Sequence, residues 1–163
     1  MNTKQVWKAL TLNSQTNAYF DGVYSSDTLK DIKEKPELII CNTDPSDKPG
    51  EHWLLFFFEG DEADFYDSLG KDLTFYGKEF VNFVNKYAKS VKQCKRRTQP
   101  LHSSLCGHYC LYYAYLRCKG KDMDYIVNSM ISASASDVVS FVYKHFYICH
   151  AFNCPMLQKC VKC

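Results

Sequence analysis

The sequence predicts one α+β domain in which a small mixed or antiparallel sheet packs against a central helix and additional helices. "ELIICN" (37–42) and "HWLLFFFE" (52–59) are short apolar runs rich in β-branched and aromatic residues, which is typical of buried strands. "CGHYCLYYAYLRC" (106–118) carries no charged residue before Arg117, which indicates a buried central helix. The length of 163 residues suits one domain with a core of its own.

The other elements follow from local patterns. Val6, Trp7 and Leu10 have helical spacing and predict a short first helix, before the turn-rich stretch "NAYFDGVYSSD". "DPSDKPGE" (44–51) predicts a loop, and a tight "EGDE" turn leads to a third strand, "ADFYDS" (63–68).

Helices dominate the remainder. "YGKEFVNFVNKYAKSV" predicts an amphipathic helix, and "DMDYIVNSMI" and "ASDVVSFVYKHFY" predict two more, each preceded by an Asp or Ser cap. The apolar face of the first is formed by Phe80, Phe83, Val84 and Tyr87. We expect one domain over residues 1–148 and a Cys-rich tail over 149–163.

Composition and charge argue against a membrane protein, a secreted protein and a generally basic nucleic-acid-binding protein. Hydrophobic residues make up 46% of the chain, but its apolar runs, such as Trp53–Phe58, are far shorter than the roughly 20 residues of a membrane helix. The first residues lack a continuous apolar stretch, so no secretory signal is expected. Nine cysteines, an odd number, then predict mostly free thiols in a reducing compartment. A net charge of +2 is too small to indicate nucleic-acid binding by itself.

Three residues have the types and positions that nucleophilic catalysis by a thiol requires. Cys106 is expected at a helix N-terminus, where the helix dipole lowers a thiol pKa. His52 begins one strand and Asp67 ends the next, so a tight turn between the strands would bring them side by side. His52 would then be the base and Asp67 the acid that orients it.

The neighbouring residues complete the hypothesis. The backbone N–H of Cys106 and the side-chain amide of Gln99 are candidate donors to an oxyanion. Gly107 would leave room for a substrate backbone, and Trp53 would form a wall beside the imidazole.

Other interpretations of these residues remain open. Asp64 is a rival acid, although strand alternation points it away from the face of Asp67. His102 and His108 flank Cys106 and are rival bases, but His102 has no acid nearby and His108 projects from another helix face. A lone apolar-helix cysteine is more often a core thiol.

The same motifs resemble the adenovirus-type cysteine proteases, the adenain family, which are related to the proteases of SUMO and ubiquitin-like proteins. The resemblance covers about residues 19–118 and rests on ordered segments: "YFDGVY", "ELIICNT", "GEHWLLFFF", "FYDSLG" and "QPLHSSLCGHYCLYY". It implies a papain-like fold with His52 as base, Asp67 as acid, Cys106 as nucleophile and Gln99 as oxyanion donor. Adenovirus enzymes generally carry Glu at the acid position, whereas Asp is closer to the SUMO-protease pattern.

The resemblance also implies a function. It suggests a thiol endopeptidase of a virus, or of a Maverick/Polinton-like DNA element, that cleaves capsid or core precursors at Gly-containing sites. A protease that removes SUMO-like or ubiquitin-like modifiers is the nearest alternative, and a catalytically silent binding module that keeps the fold is the alternative from a different class. The expected location is the host nucleus or cytoplasm and the virion. No cofactor is expected to take part in the chemistry, while DNA and an activating viral peptide are candidate partners.

Two further segments are candidate partner or metal sites. "KYAKSVKQCKRR" (86–97) is a solvated basic face or, given the resemblance, a DNA-binding surface, and Cys94 within it is a candidate thiol for a disulfide with a peptide cofactor. Its basic residues are Lys86, Lys89, Lys92, Lys95, Arg96 and Arg97. In the tail, Cys160-x-x-Cys163 is half of a zinc-site spacing, for which Cys149, His150 and Cys154 are candidate partners. The other half-motif is absent, so no metal site is predicted.

Overall fold

The computed structural model describes residues 1–32 and 36–148 and is a mixed α/β structure with a five-stranded sheet, compatible with the predicted α+β class. The strands are β1 (Phe20–Tyr24), β2 (Glu37–Asn42), β3 (Trp53–Glu59), β4 (Glu62–Asp67) and β5 (Ser90–Gln93). The helices are α1 (Thr3–Leu12), α2 (Lys78–Tyr87), α3 (Cys106–Cys118), α4 (Met123–Ser132) and α5 (Ala135–His145), with a short 3₁₀ helix at Leu73–Tyr76.

The sheet has an antiparallel centre and parallel edges. Its order is β1-β2-β3-β4-β5, in which β2, β3 and β4 pair antiparallel while β1 and β5 run parallel to their neighbours. The turn between β3 and β4 is tight, since Glu59 pairs with Glu62, and Gly60 adopts a φ of 57° there. This turn brings the two strands that carry His52 and Asp67 together.

Side-chain alternation divides the core between the two sheet faces. One face, including Leu55 and Tyr66, packs against α3 together with α1, α4 and α5. The opposite face, including Leu54 and Phe65, packs against α2. Residues of α3 such as Cys110, Leu111 and Ala114 are completely buried, which confirms the predicted central helix.

Three sequence predictions need correction. The stretch predicted as turns contains the edge strand β1. The helix predicted over residues 76–91 ends at Tyr87, and its last residues join β5, whose Lys92 and other alternate side chains face solvent. The exact partner of Asp67 in the ladder is Leu54, so His52 lies two residues farther along the same face.

The described residues contain no single helix long and apolar enough to cross a membrane; α4 and α5 pass that test only together, as a pair bent by 119°. In the same part of the chain, no group of three or more His, Cys, Asp or Glu side chains could hold a metal ion. The predicted Cys-rich tail, 149–163, with its half zinc motif, lies outside the described residues.

Candidate active site

Cys106 and His52 lie in a cleft of about 1010 Å³ at one end of the sheet. The first residues of the chain and the loop between β2 and β3 form part of its lining. The segment after β4 and the loop before α3 form the rest. The cleft is therefore lined mainly by loops, the first residues of the chain and the start of α3.

His52 and Asp67 form the closest polar contact of the site. His52 Nε2 lies 2.6 Å from Asp67 Oδ1, with the imidazole 10% exposed and the carboxylate fully buried. Burial by itself would lower the pKa of His52, but the hydrogen bonds to Asp67 and Cys106 outweigh it and raise this pKa to about 9. The contacts with Asp67 and Cys106 therefore favour the protonated, charged form of the imidazole.

Asp67 is fixed by a set of donors in addition to His52. The backbone N–H of Leu69 donates to Oδ1 at 2.9 Å and that of Lys71 to Oδ2 at 2.8 Å, while the Tyr76 hydroxyl donates to Oδ2 at 2.9 Å. Burial favours the neutral acid, but the imidazole of His52 and the backbone N–H groups of Leu69 and Lys71 lower the pKa of Asp67. Tyr76 also stacks on the His52 ring at 6.1 Å, so the imidazole is restrained from two directions.

Cys106 begins α3 and faces the imidazole. Because Asp67 occupies Nε2, the ring nitrogen left for the thiol is Nδ1. Burial opposes ionisation of Cys106, but its hydrogen bond with His52 and bonds from the backbone N–H groups of Trp53 and Gly107 lower its pKa. Leu105 gives α3 no side-chain cap, which leaves the first-turn amides available to an anion.

The other described cysteines differ from Cys106 in the direction of their pKa shift. Burial raises the pKa of Cys41, Cys94 and Cys110, and it raises that of Cys118 to about 12. All are free thiols. Among the described cysteines, only Cys106 is electrostatically prepared to react as a thiolate.

Gln99 lines the same cleft, and two hydrogen bonds hold its side-chain amide. Its Oε1 accepts from Ser68 Oγ at 2.7 Å, and its Nε2 donates to the Ser103 carbonyl at 3.3 Å. The side chain is 5% exposed. Since the bond to Ser103 is long, Nε2 retains donor capacity for a negative oxygen formed in the cleft.

The N-terminal residue covers Gly107. Trp53 Nε1 donates to the Met1 carbonyl at 3.2 Å, and a Cβ at Gly107 would lie 3.1 Å from Met1 Cβ and 3.3 Å from Trp53 Cδ1. The space that the sequence hypothesis reserved for a substrate backbone is therefore occupied by Met1. Trp53 is 6% exposed and forms a wall of the cleft, as well as an anchor for Met1.

The rival acid and the rival bases have other environments. Asp64 binds Arg117 Nε at 2.7 Å and the Tyr113 hydroxyl at 2.9 Å on the opposite sheet face. His108 is buried, and its ring contacts that of Tyr143. His102 is exposed at the rim of the cleft, in a left-handed conformation with a φ of 60°.

The basic segment is exposed but largely matched by acidic side chains. Lys86 pairs with Asp31, Lys89 with Asp61, Lys92 with Glu62 and Lys95 with Asp72, at 2.6 to 3.4 Å. Arg96 donates to the Asn128 side chain at 2.7 Å, and Arg97 is exposed. Cys94 is 5% exposed, and its Sγ lies 3.2 Å from the Arg96 carbonyl oxygen, so its thiol is not presented to a partner.

Sequence reasoning missed three residues of the site. Ser68 directly follows the acid Asp67, and this adjacency is the one sequence signal that could have indicated it. Tyr76 and Met1 reach the site through the 3₁₀ helix and α1, and no local motif indicates either contact.

Comparison of the chain with models of known protein families gives no match, and comparison with curated proteins gives none. The resemblance to the adenain family therefore depends on the order and spacing of the motifs.

Proposed function

We propose that this protein is a cysteine endopeptidase that uses Cys106 as nucleophile, His52 as acid and base, Asp67 as orienting acid and Gln99 as oxyanion donor. The observation that carries the proposal is the contact of one thiol of lowered pKa with an imidazole held 2.6 Å from a buried carboxylate, in an open cleft. This combination is what thiol acyl transfer requires.

In the proposed reaction, Cys106 Sγ attacks a peptide carbonyl carbon, and the carbonyl electron pair moves to the oxygen. The Cys106 N–H and Gln99 Nε2 stabilise that oxygen. His52 gives its proton to the leaving nitrogen as the C–N bond breaks, which leaves a thioester. Water, deprotonated by His52, then attacks the thioester and releases the acid and the thiol.

The direct test is alkylation by limiting iodoacetamide at about pH 6, where an ordinary thiol is protonated. We expect Cys106 to react well ahead of the other cysteines, as read by peptide mass spectrometry. In His52→Ala this lead should fall about tenfold or more, because the buried thiol loses the group that lowers its pKa. Equal labelling of all the cysteines in the native protein would contradict the proposal.

The proposed substrates are structural precursor proteins of a virus or virus-like element, cut at glycine-containing sites, by resemblance to the adenain family. Removal of SUMO-like or ubiquitin-like modifiers is the second candidate, which the identity of the acid, Asp67, favours. By the same resemblance, both substrates present glycine at the cleavage site, so the same chemistry serves either.

Two probes separate these substrates. A modifier carrying a C-terminal vinyl sulfone would label Cys106 in a deconjugating protease. Cleavage of a short glycine-containing peptide without such labelling would instead support the maturation protease. Cys106→Ala is the control for both probes.

DNA and an activating peptide are proposed partners by the same resemblance, and the host nucleus, cytoplasm and virion are the proposed locations.

If residues 86–97 bind DNA, DNA must displace exposed lysine–carboxylate pairs, which are individually weak. We expect any DNA stimulation of peptidase activity to fall steeply with salt. The double variant Lys89→Gln, Lys92→Gln should reduce this stimulation by DNA. The double variant Lys4→Gln, Lys8→Gln on α1 is the control and should not. Peptidase activity that depends on neither DNA nor salt would remove this surface from the proposal.

A further inference from the structure

Ser68 contacts Gln99 through both its backbone and its side chain. The Ser68 carbonyl accepts from the backbone N–H of Gln99 at 3.1 Å and from that of Thr98 at 2.9 Å. Its hydroxyl donates to Gln99 Oε1 at 2.7 Å, and Ser68 is completely buried. One buried residue therefore fixes the position of Gln99 and the orientation of its amide.

The orientation of that amide follows from the chemistry of its two neighbours. A serine hydroxyl alone could bond either end of a carboxamide, because it both donates and accepts. The Ser103 carbonyl only accepts, and it lies 3.3 Å from Gln99 Nε2. A rotated amide would set Oε1 against that carbonyl, so the two neighbours together select the orientation in which Nε2 is the available donor.

We infer that Ser68 is a positioning residue that holds the Gln99 amide ready to donate to the oxyanion, an inference that rests on the proposed peptidase function. Asp67 orients His52, and the next residue, Ser68, orients Gln99. The end of β4 thus aligns the base and the oxyanion donor through two consecutive residues.

The test compares Ser68→Ala with wild type in two reactions of Cys106. A short peptide aldehyde ending in glycinal adds to Cys106 Sγ: the S–C bond forms and the carbonyl electron pair moves to oxygen, which needs the oxyanion donor. Iodoacetamide alkylation needs the thiolate but no oxyanion donor. We expect Ser68→Ala to weaken aldehyde binding and lower kcat about tenfold, with KM and the alkylation rate nearly unchanged.

A double-mutant cycle with Gln99→Ala identifies the route of the effect. If Ser68 acts through Gln99, Ser68→Ala should add little to Gln99→Ala, and Ser68→Thr, which keeps the hydroxyl, should recover aldehyde binding. Equal losses in both backgrounds, or unchanged aldehyde binding in Ser68→Ala, would overturn the inference. Should Ser68→Ala fail to fold, Ser68→Cys is nearly isosteric and has only a weak donor, so it enters the same aldehyde assay.

Thr98→Val is the matched control for general loosening of the loop. It removes the 2.6 Å bond between Thr98 Oγ1 and the Tyr66 hydroxyl and the 3.3 Å bond from Thr98 Oγ1 to the Ser68 carbonyl, but it leaves the bond from the Ser68 hydroxyl to the Gln99 amide in place. A loss of aldehyde binding in Thr98→Val as large as in Ser68→Ala, at equal loss of stability, would show a merely structural role. If wild type neither cleaves the peptide nor alkylates preferentially at Cys106, the proposed function itself fails; an active wild type with an unaffected Ser68→Ala rejects only the inference.

Discussion

Each end of helix α3 lies near an aspartate of strand β4, but the contacts at the two ends differ. At the C-terminal end, Arg117 binds Asp64 directly, and the pair is mostly buried. At the N-terminal end, His52 stands between Cys106 and Asp67. The Arg117–Asp64 ion pair keeps its charges, whereas the His52 imidazole can exchange a proton with Cys106. The C-terminal end of α3 therefore makes a structural contact, and its N-terminal end makes a reactive one.

The strongest way to break this comparison is to remove the thiol. Cys106→Ala should reduce peptide cleavage about 10⁴-fold or more, because no other described cysteine has a lowered pKa. Cys118→Ala, at the other end of α3, should retain activity. Steady-state hydrolysis of a glycine-containing peptide measures both, and substantial residual activity in Cys106→Ala would assign the chemistry elsewhere.

Exchanging the two acids for amides separates their roles. Asp67→Asn should lower kcat by about 10²- to 10⁴-fold and move the pKa of His52 down from about 9, because the carboxylate that raises it is gone.

Asp64→Asn is the matched control on the same strand. It should leave the pH profile of cleavage unchanged but destabilise the fold by about 3 kcal/mol, since Arg117 loses a buried partner. Urea unfolding and pH–rate profiles distinguish the two variants, and a shifted pH profile in Asp64→Asn would contradict the separation.

The pH dependence of stability sharpens the comparison further. The raised pKa of His52 gives stability that is present below 6.5 and lost as pH rises towards about 9. The lowered pKa of Cys106 gives stability that is present above 9.0 and lost as pH falls through its folded value. Between these pH values, folding moves a proton from the Cys106 thiol to the His52 imidazole without net uptake or release of protons. The contributions of the two groups to the pH dependence of stability therefore oppose each other.

We therefore expect the free energy of unfolding to be nearly independent of pH between these values in wild type, as far as this pair contributes. In Cys106→Ala only the imidazole remains, and stability should decline with rising pH, by at most about 1.4 kcal/mol per pH unit. Denaturant titrations across the range measure this difference. Parallel curves for the two proteins would show that the thiol and the imidazole do not share a proton.

The smallest expected effect concerns the wall of the cleft. Trp53→Phe keeps the aromatic packing but removes the indole N–H that binds the Met1 carbonyl. It should lower stability by about 1 kcal/mol and alter KM more than kcat, because Met1 is released while Cys106 is not touched. Thermal unfolding and steady-state kinetics give both numbers, and a fall in kcat alone would place Trp53 in the chemistry instead.

Much of the fold could be predicted because its central elements have strong local patterns. β2 and α3 begin and end where the apolar runs indicated, and the turn between β3 and β4 was recognised from its composition. The edge strands could not be predicted: β1 contains Asp21 and Gly22, and the short β5 alternates exposed and half-buried residues. Both form strands because they pair parallel to a neighbouring strand of the sheet. Their own residue types do not alternate between apolar and polar, so the sequence gives no strand pattern.

The candidate site divides in the same way. Strand alternation and the tight turn were enough to bring His52 and Asp67 to one face and send Asp64 to the other. The partners that fix the geometry depend on how loops and the first residues pack, which spacing alone cannot indicate. They are Ser68, Tyr76 and Met1.

The position of Met1 has a consequence for substrate entry. Its carbonyl is bound to Trp53, and its side chain lies over Gly107, next to Cys106. A substrate that approaches Cys106 from this side must first displace the Met1 side chain, so the contact between Trp53 and Met1 sets part of the free-energy cost of substrate binding.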